Sequence, residues 1–92
     1  MGRETVLSVR VTGRVQGVSF RAWTQAEALR RGLDGWVMNE ADGSVSGVIA
    51  GPEAEIAAMV RALHDGPPAA RVARVQTAPH DGEVTGGFVI RR

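Results

Sequence analysis

Residues 13–21 combine the residue types that hold an oxyanion. Their sequence, GRVQGVSFR, contains two glycines, no proline and an arginine in the last position. Glycine permits the positive φ angles of a tight loop, and a loop without proline keeps every backbone N–H available as a donor. The arginine adds a planar fork of charged donors. Phosphate is the anion most often held by such groups, so this segment is a candidate phosphate-binding loop.

The flanking sequence places the loop at a strand-to-helix junction. Alternating apolar residues at Leu7, Val9 and Val11 predict a strand over 5–13, and a helix is predicted over 20–31. The first N–H groups of a helix lack internal partners and carry the positive end of its dipole. An arginine in that turn opposes the dipole and costs about a few tenths of a kcal/mol unless an anion compensates. By spacing alone, an ordinary connection with a solvent-exposed arginine remains the alternative.

The rest of the chain predicts an α+β fold. Further strands are predicted over 33–39, 44–50, 71–77 and 87–91, with an Asp-Gly turn within 40–43 and a loop over 79–87. A second helix is predicted between Gly51-Pro52 and Gly66-Pro67-Pro68. The order βαββαβ with a short fifth strand predicts a ferredoxin-like sandwich, in which two helices cover one face of a mainly antiparallel sheet. We expect one domain over 1–92, with Trp36 and Met59 in its core.

Composition excludes several kinds of chemistry and partner. The 92 residues carry a formal charge of +1, all eleven basic residues are Arg, and there is no Lys, Cys or Tyr. Without Lys or Cys there is no Walker A loop, Schiff base, catalytic thiolate or zinc–thiolate site. His64 and His80 lie in different predicted elements, and no cluster has metal-ligand spacing, so we expect no metal and no cofactor. The lack of charge blocks and of long apolar segments predicts a cytoplasmic protein with no nucleic-acid or membrane partner.

Two motifs in this order resemble those of the acylphosphatase family: Gly13-Arg14-Val15-Gln16-Gly17-Val18-x-Phe20-Arg21 and Gly35-Trp36-Val37-x-Asn39-x-x-Asp42-Gly43-Ser44-Val45. The match continues to a closing Phe88-x-Ile90-Arg91 and covers nearly the whole chain. The resemblance implies the ferredoxin-like fold and acylphosphatase activity. It also implies that phosphate is bound by Arg21 and by the loop residues Val15, Gln16, Gly17, Val18, Ser19 and Phe20.

The resemblance further implies that Asn39 positions the attacking water. On local grounds alone, the position of Asn39 before an Asp-Gly turn favours a turn residue over a catalytic one. Ser19 and Ser46 stand at positions where the family commonly has other residues, and Ser19 could alter the rim of the pocket. The sequence is compatible with two positions for the side chain of Trp23, one in the core and one at the entrance to the phosphate-binding loop.

These residues suit the hydrolysis of an acyl phosphate. The leaving carboxylate has a conjugate acid with a pKa of about 4, so it departs without a general acid. An amide has no useful pKa, so Asn39 can orient water but cannot act as a base. We therefore predict a metal-independent hydrolase that splits the carboxyl–phosphate bond by direct attack of water. Inorganic phosphate and sulfate should compete with the substrate.

Two other functions use the same fold. The first is a non-catalytic domain that binds an anion or a carbamoyl-phosphate-like ligand for a larger assembly, as in a module of hydrogenase-maturation proteins. The chain ends at Arg92 with no linker, and we expect a free-standing, monomeric enzyme instead. The second is a small nucleic-acid-binding domain, whose sheet would need exposed aromatic residues for stacking. The chain has two Phe, two Trp and no Tyr, which disfavours this function.

Overall fold

Five strands and two helices make up the part of the chain that the computed structural model describes, residues 4–92. The predicted domain 1–92 also includes residues 1–3, which lie outside the described residues. In chain order the elements are β1 Glu4–Arg14, α1 Phe20–Arg30, β2 Asp34–Asn39, β3 Val45–Pro52, α2 Glu53–Asp65, β4 Arg71–Pro79 and β5 Phe88–Arg91. The predicted boundaries agree with these to within two residues.

The strands form one mixed sheet in the order β4-β1-β3-β2-β5. The pairs β1–β3, β1–β4 and β2–β3 are antiparallel, and β2–β5 is parallel. Both helices pack on the same face, which is the ferredoxin-like α+β arrangement that the sequence predicted. Neither described helix is long and apolar enough to cross a membrane.

The core lies between the sheet and the two helices. On β1, the buried residues Val9 and Val11 alternate with Ser8, Arg10 and Thr12, so one face is covered and the other is exposed to solvent. Helix α2 buries Ile56, Leu63 and Met59, the last as predicted, and α1 buries Phe20, Thr24 and Ala28. This packing fixes the beginning of α1 against the end of β1, where the candidate loop lies.

Trp36 does not lie in the core, so its predicted position was wrong. Its neighbour Val37 is buried towards the helices, and the alternation of a strand therefore turns Trp36 to the open face of the sheet. There the guanidinium carbon of Arg91 lies 4.5 Å from the centre of its ring. Trp23 is partly buried against the core, with its ring 5.6 Å from that of Phe20.

An irregularity in the β1–β4 pairing explains why Val72 and Val75 do not alternate in the sequence. Thr12 is opposite Arg74, but Gly13 is opposite Val72, so the register shifts by one residue at this point. The shift lets both valines pack against the core although they are three positions apart. Gly13 has φ 121°, and a Cβ there would lie 2.2 Å from the carbonyl oxygen of Arg71, so only glycine fits.

Candidate active site

The loop between β1 and α1 turns through two left-handed residues. Gly17 has φ 74°, and Ser19, just before the helix, has φ 62°. The side chain of Ser19 makes no capping hydrogen bond, and the first helical bond runs from the N–H of Trp23 to the carbonyl of Ser19. Within the described part of the chain, no backbone N–H of residues 16–21 donates a hydrogen bond to another protein group. The loop therefore presents a group of free donors at the positive end of α1.

These donors border a pocket of about 530 Å³. The loop, the end of β2 and the end of β5 form its wall, which consists of Val15, Gln16, Gly17, Ser19, Phe20, Arg21, Ala22, Asn39, Ile90 and Arg92. The pocket thus brings together every residue predicted for the site except Val18. The side chain of Val18 instead packs against the core.

Asn39, the last residue of β2, lies in this wall with an unpaired acceptor. Its Oδ1 is buried and accepts no hydrogen bond from any described residue. A buried polar atom without a partner costs about 1–3 kcal/mol. The turn that follows does not use it, because that turn is closed by bonds from the N–H of Glu40 to the carbonyl of Ser44 and from the N–H of Gly43 to the carbonyl of Glu40.

The side chain of Gln16 connects the loop to this turn. Its Nε2 donates to the carbonyl of Glu40 at 2.8 Å and to the carbonyl of Ser44 at 2.9 Å. The amide is therefore occupied by protein, and only the backbone of Gln16 is free for an anion. The two bonds hold the phosphate-loop candidate at a fixed distance from the strand end that carries Asn39. No local sequence pattern indicates this contact, because its partners are 24 and 28 residues away.

Asp42 and Ser46 stabilise the same turn. The carboxylate of Asp42 accepts bonds from the hydroxyl of Ser44 at 2.6 Å and from its N–H at 2.9 Å, and it also pairs with Arg10. The two hydrogen bonds from Ser44 hold the pKa of Asp42 well below its usual range, and the bond from Arg10 makes a smaller contribution in the same direction. Ser46 donates to the carboxylate of Glu40. Ser46 thus acts in the hairpin, outside the pocket wall.

The pocket wall is cationic. Arg21 and Arg92 are its charged residues, and no acidic side chain of residues 4–92 contributes to it. In the same part of the chain, neither arginine forms an ion pair with a carboxylate. Ile90 and Arg92 were not predicted for the site, because their place depends on the pairing of β5 with β2. That pairing joins segments about fifty residues apart and leaves no local pattern.

The two histidines lie away from the pocket. His64 is in the last turn of α2, and His80 follows β4. Among the described residues, no group of three His, Asp or Glu side chains could hold a metal ion. The polar groups that the pocket offers include two arginines, backbone N–H groups and an amide.

Comparison with known proteins points to one family. The Acylphosphatase family model matches residues 7–90. A curated acylphosphatase from Rhizobium etli is 53% identical over 85 residues, which cover 85% of this chain and 90% of that protein. A solved acylphosphatase from Coxiella burnetii has a TM-score of 0.92 and 36% identity, covering 96% of this chain and 93% of that one. Full-length HypF, in a phosphate- and nucleotide-bound form, has a TM-score of 0.90 and 25% identity, covering 100% of this chain but 12% of HypF.

Proposed function

The chain belongs to the acylphosphatase family and is an acylphosphatase, and we propose that residues 15–20 and Arg21 bind the phosphoryl group while Asn39 positions the attacking water. The observation that carries this assignment is the shared pocket. It combines the free N–H groups of the loop, the guanidinium of Arg21, which has no carboxylate partner among the described residues, and the residue Asn39. The predicted site residues come from two segments about twenty positions apart, and all of them except Val18 border one cavity.

The phosphoryl oxygens fit the donor side of the pocket. Each N–H of the loop offers one donor, and Arg21 offers a planar fork for two oxygens. Phosphoryl transfer through a loose transition state needs positioning and stabilisation of the equatorial oxygens more than it needs covalent chemistry. Donors fixed before the substrate binds supply both without reorganisation. Inorganic phosphate and sulfate present the same oxygens, so they should compete with the substrate.

The water fits the side of the pocket formed by Asn39. The side-chain amide of Asn39 forms a hydrogen bond to the water and so directs a lone pair of the water oxygen towards phosphorus. The water oxygen bonds to phosphorus as the bond from phosphorus to the acyl oxygen breaks. The carboxylate leaves with that electron pair, and a phosphate oxygen takes the proton of the water. Because the carboxylate is a good leaving group, the step needs neither a general acid nor a metal ion.

The activity is tested by phosphate release from benzoyl phosphate, with phenyl phosphate as the monoester control. We expect hydrolysis of the acyl phosphate alone, undiminished by a chelator. Arg21→Ala should lower the rate on the order of a hundredfold or more, because it removes a preorganised charged donor. Arg14→Ala is the matched control, since Arg14 is exposed at the end of β1 and does not border the pocket. Equal losses in the two variants, or activity that depends on a divalent ion, would contradict the assignment.

A second function has one observation in its favour. The match to HypF covers 12% of that chain, so this fold also occurs as a small part of a larger protein. The second candidate function is that of a non-catalytic domain, which would bind an anion without hydrolysing it. Saturable binding of phosphate, with no release of phosphate from benzoyl phosphate, would identify this second function.

We propose instead an independent enzyme that is cytoplasmic and monomeric. Cell fractionation tests its localisation, and gel filtration tests its oligomeric state.

A further inference from the structure

Two adjacent arginines at the end of β5, Arg91 and Arg92, border opposite faces of the sheet. In the parallel pairing of β5 with β2, Ile90 is opposite Val37 and Arg91 is opposite Met38. The residues that follow this pair, Asn39 and Arg92, both border the pocket. Alternation along the strand puts Ile90 and Arg92 on the face covered by the helices, and both border the pocket. Arg91 points to the open face and lies over Trp36.

The pocket holds more space and more charge than a phosphoryl group requires. Its volume of about 530 Å³ compares with about 30 Å³ for one water molecule in the liquid, and it falls in the range of sites that hold whole small-molecule ligands. The loop N–H groups and Arg21 already supply the donors for a phosphate. Arg92 is therefore a second cation in the same wall, and residues 4–92 give it no carboxylate partner.

We propose that Arg92 is a specificity-determining residue that selects acyl phosphates whose acyl group carries a second anionic group, such as a distal carboxylate. In this arrangement Ile90, also in the wall, packs against the carbon skeleton between the two charged ends. The proposal rests on the proposed function of the pocket, because it takes the phosphoryl end to lie at Arg21. When the second anionic group is a distal carboxylate, the products of the reaction are inorganic phosphate and a dicarboxylate.

The size of the preference follows from the exposure of Arg92. An ion pair at a solvent-exposed guanidinium is weak, so a distal carboxylate should raise kcat/KM about two- to fivefold over a neutral group of the same shape. Because the pair is exposed, the preference should shrink as ionic strength rises. A buried pair would give a larger preference with less dependence on salt.

The test compares 4-carboxybenzoyl phosphate with 4-carbamoylbenzoyl phosphate, which differ in charge but hardly in shape. The readout is the ratio of their kcat/KM values at low salt in the wild type, Arg92→Gln and Arg91→Gln. We expect a ratio of about two to five in the wild type, a fall towards one in Arg92→Gln, and no fall in Arg91→Gln. The last variant removes the same charge from the adjacent residue on the other face.

The other outcomes each overturn a separate statement. A wild-type ratio near one, with both compounds hydrolysed, overturns the specificity of Arg92 and leaves the proposed function standing. Equal falls in the two variants assign the preference to net charge and also overturn it. If Arg92→Gln weakens inhibition by inorganic phosphate as much as Arg21→Gln does, Arg92 binds the phosphoryl group instead. No hydrolysis of either compound refutes the proposed function itself.

Discussion

The link between the phosphate loop and the β2–β3 turn can be broken at one side chain. Gln16→Ala removes both hydrogen bonds to the carbonyls of Glu40 and Ser44 and leaves the backbone donors of the loop in place. Each carbonyl keeps a second donor, because Gly43 N–H reaches Glu40 at 3.1 Å and Glu40 N–H reaches Ser44 at 2.8 Å. The cost is therefore the net value of two hydrogen bonds, without the penalty for an unsatisfied group.

The loss of these two hydrogen bonds should lower Tm by a measurable amount. Two bonds at about 0.5–1.5 kcal/mol each give a loss of about 1–3 kcal/mol in the free energy of unfolding. In a domain of this size each kcal/mol lowers Tm by about 4–8 °C, so Tm should fall by roughly 4–24 °C. The activity should fall as well, because the loop and Asn39 are no longer held at one separation. A misplacement on the order of 1 Å can reduce the rate up to about a hundredfold.

The assay is thermal unfolding together with kcat/KM for benzoyl phosphate, both measured well below the Tm of the variant. Gln25→Ala is the matched control, since Nε2 of Gln25 makes a single bond, to the carbonyl of Phe88 at 2.9 Å, and Gln25 does not border the pocket. It should cost about half as much stability and much less activity. Gln16→Glu should destabilise more than Gln16→Ala at neutral pH, because it sets a carboxylate against two carbonyl oxygens. Wild-type Tm and kcat/KM in Gln16→Ala would refute the positioning role.

Three further outcomes are expected. Arg21→Lys should restore little of the activity lost in Arg21→Ala, because a point charge does not reproduce the planar fork; kcat/KM at equal ionic strength checks this. Gly17→Ala should lower the free energy of unfolding by about 1–2 kcal/mol, since φ is 74° there although the space for a Cβ is open; chemical denaturation measures it. Asp42 has a lowered pKa in the folded state, so its stabilisation is present above the usual aspartate pKa of about 3.9 and is lost as pH falls below it. Asp42→Asn should therefore flatten the decline of Tm in that acidic range.

The sequence predicted the features that depend on near neighbours. Alternation before residue 13 and the apolar residues after residue 20 located the strand-to-helix junction, and the Asp-Gly turn located the hairpin that follows Asn39. Trp36 and Val37 are adjacent in β2, so only one of them can face the core, and the structure shows that it is Val37. The sequence did not show which one, because both residues are apolar. A strand exposed on one face can place a large aromatic residue on that face.

The features that the sequence did not predict depend on distant partners. The bonds of Gln16 cross to another element, and the position of Arg92 in the pocket depends on β5 pairing with β2 in parallel. The register shift opposite Gly13 is likewise a property of two strands together. Single-sequence periodicity reports which face of an element is apolar, and it carries no information on which element lies beside it.

The most direct measurement of the proposed mechanism is kcat together with the inhibition constant of inorganic phosphate in Asn39→Ala. If the side-chain amide of Asn39 holds the attacking water, kcat for benzoyl phosphate should fall roughly a hundredfold. The inhibition constant should stay within about twofold of the wild type, because the loop and Arg21 still bind the anion. A variant with wild-type kcat and a lowered Tm would show that Asn39 only forms the turn, and it would contradict the water-positioning role.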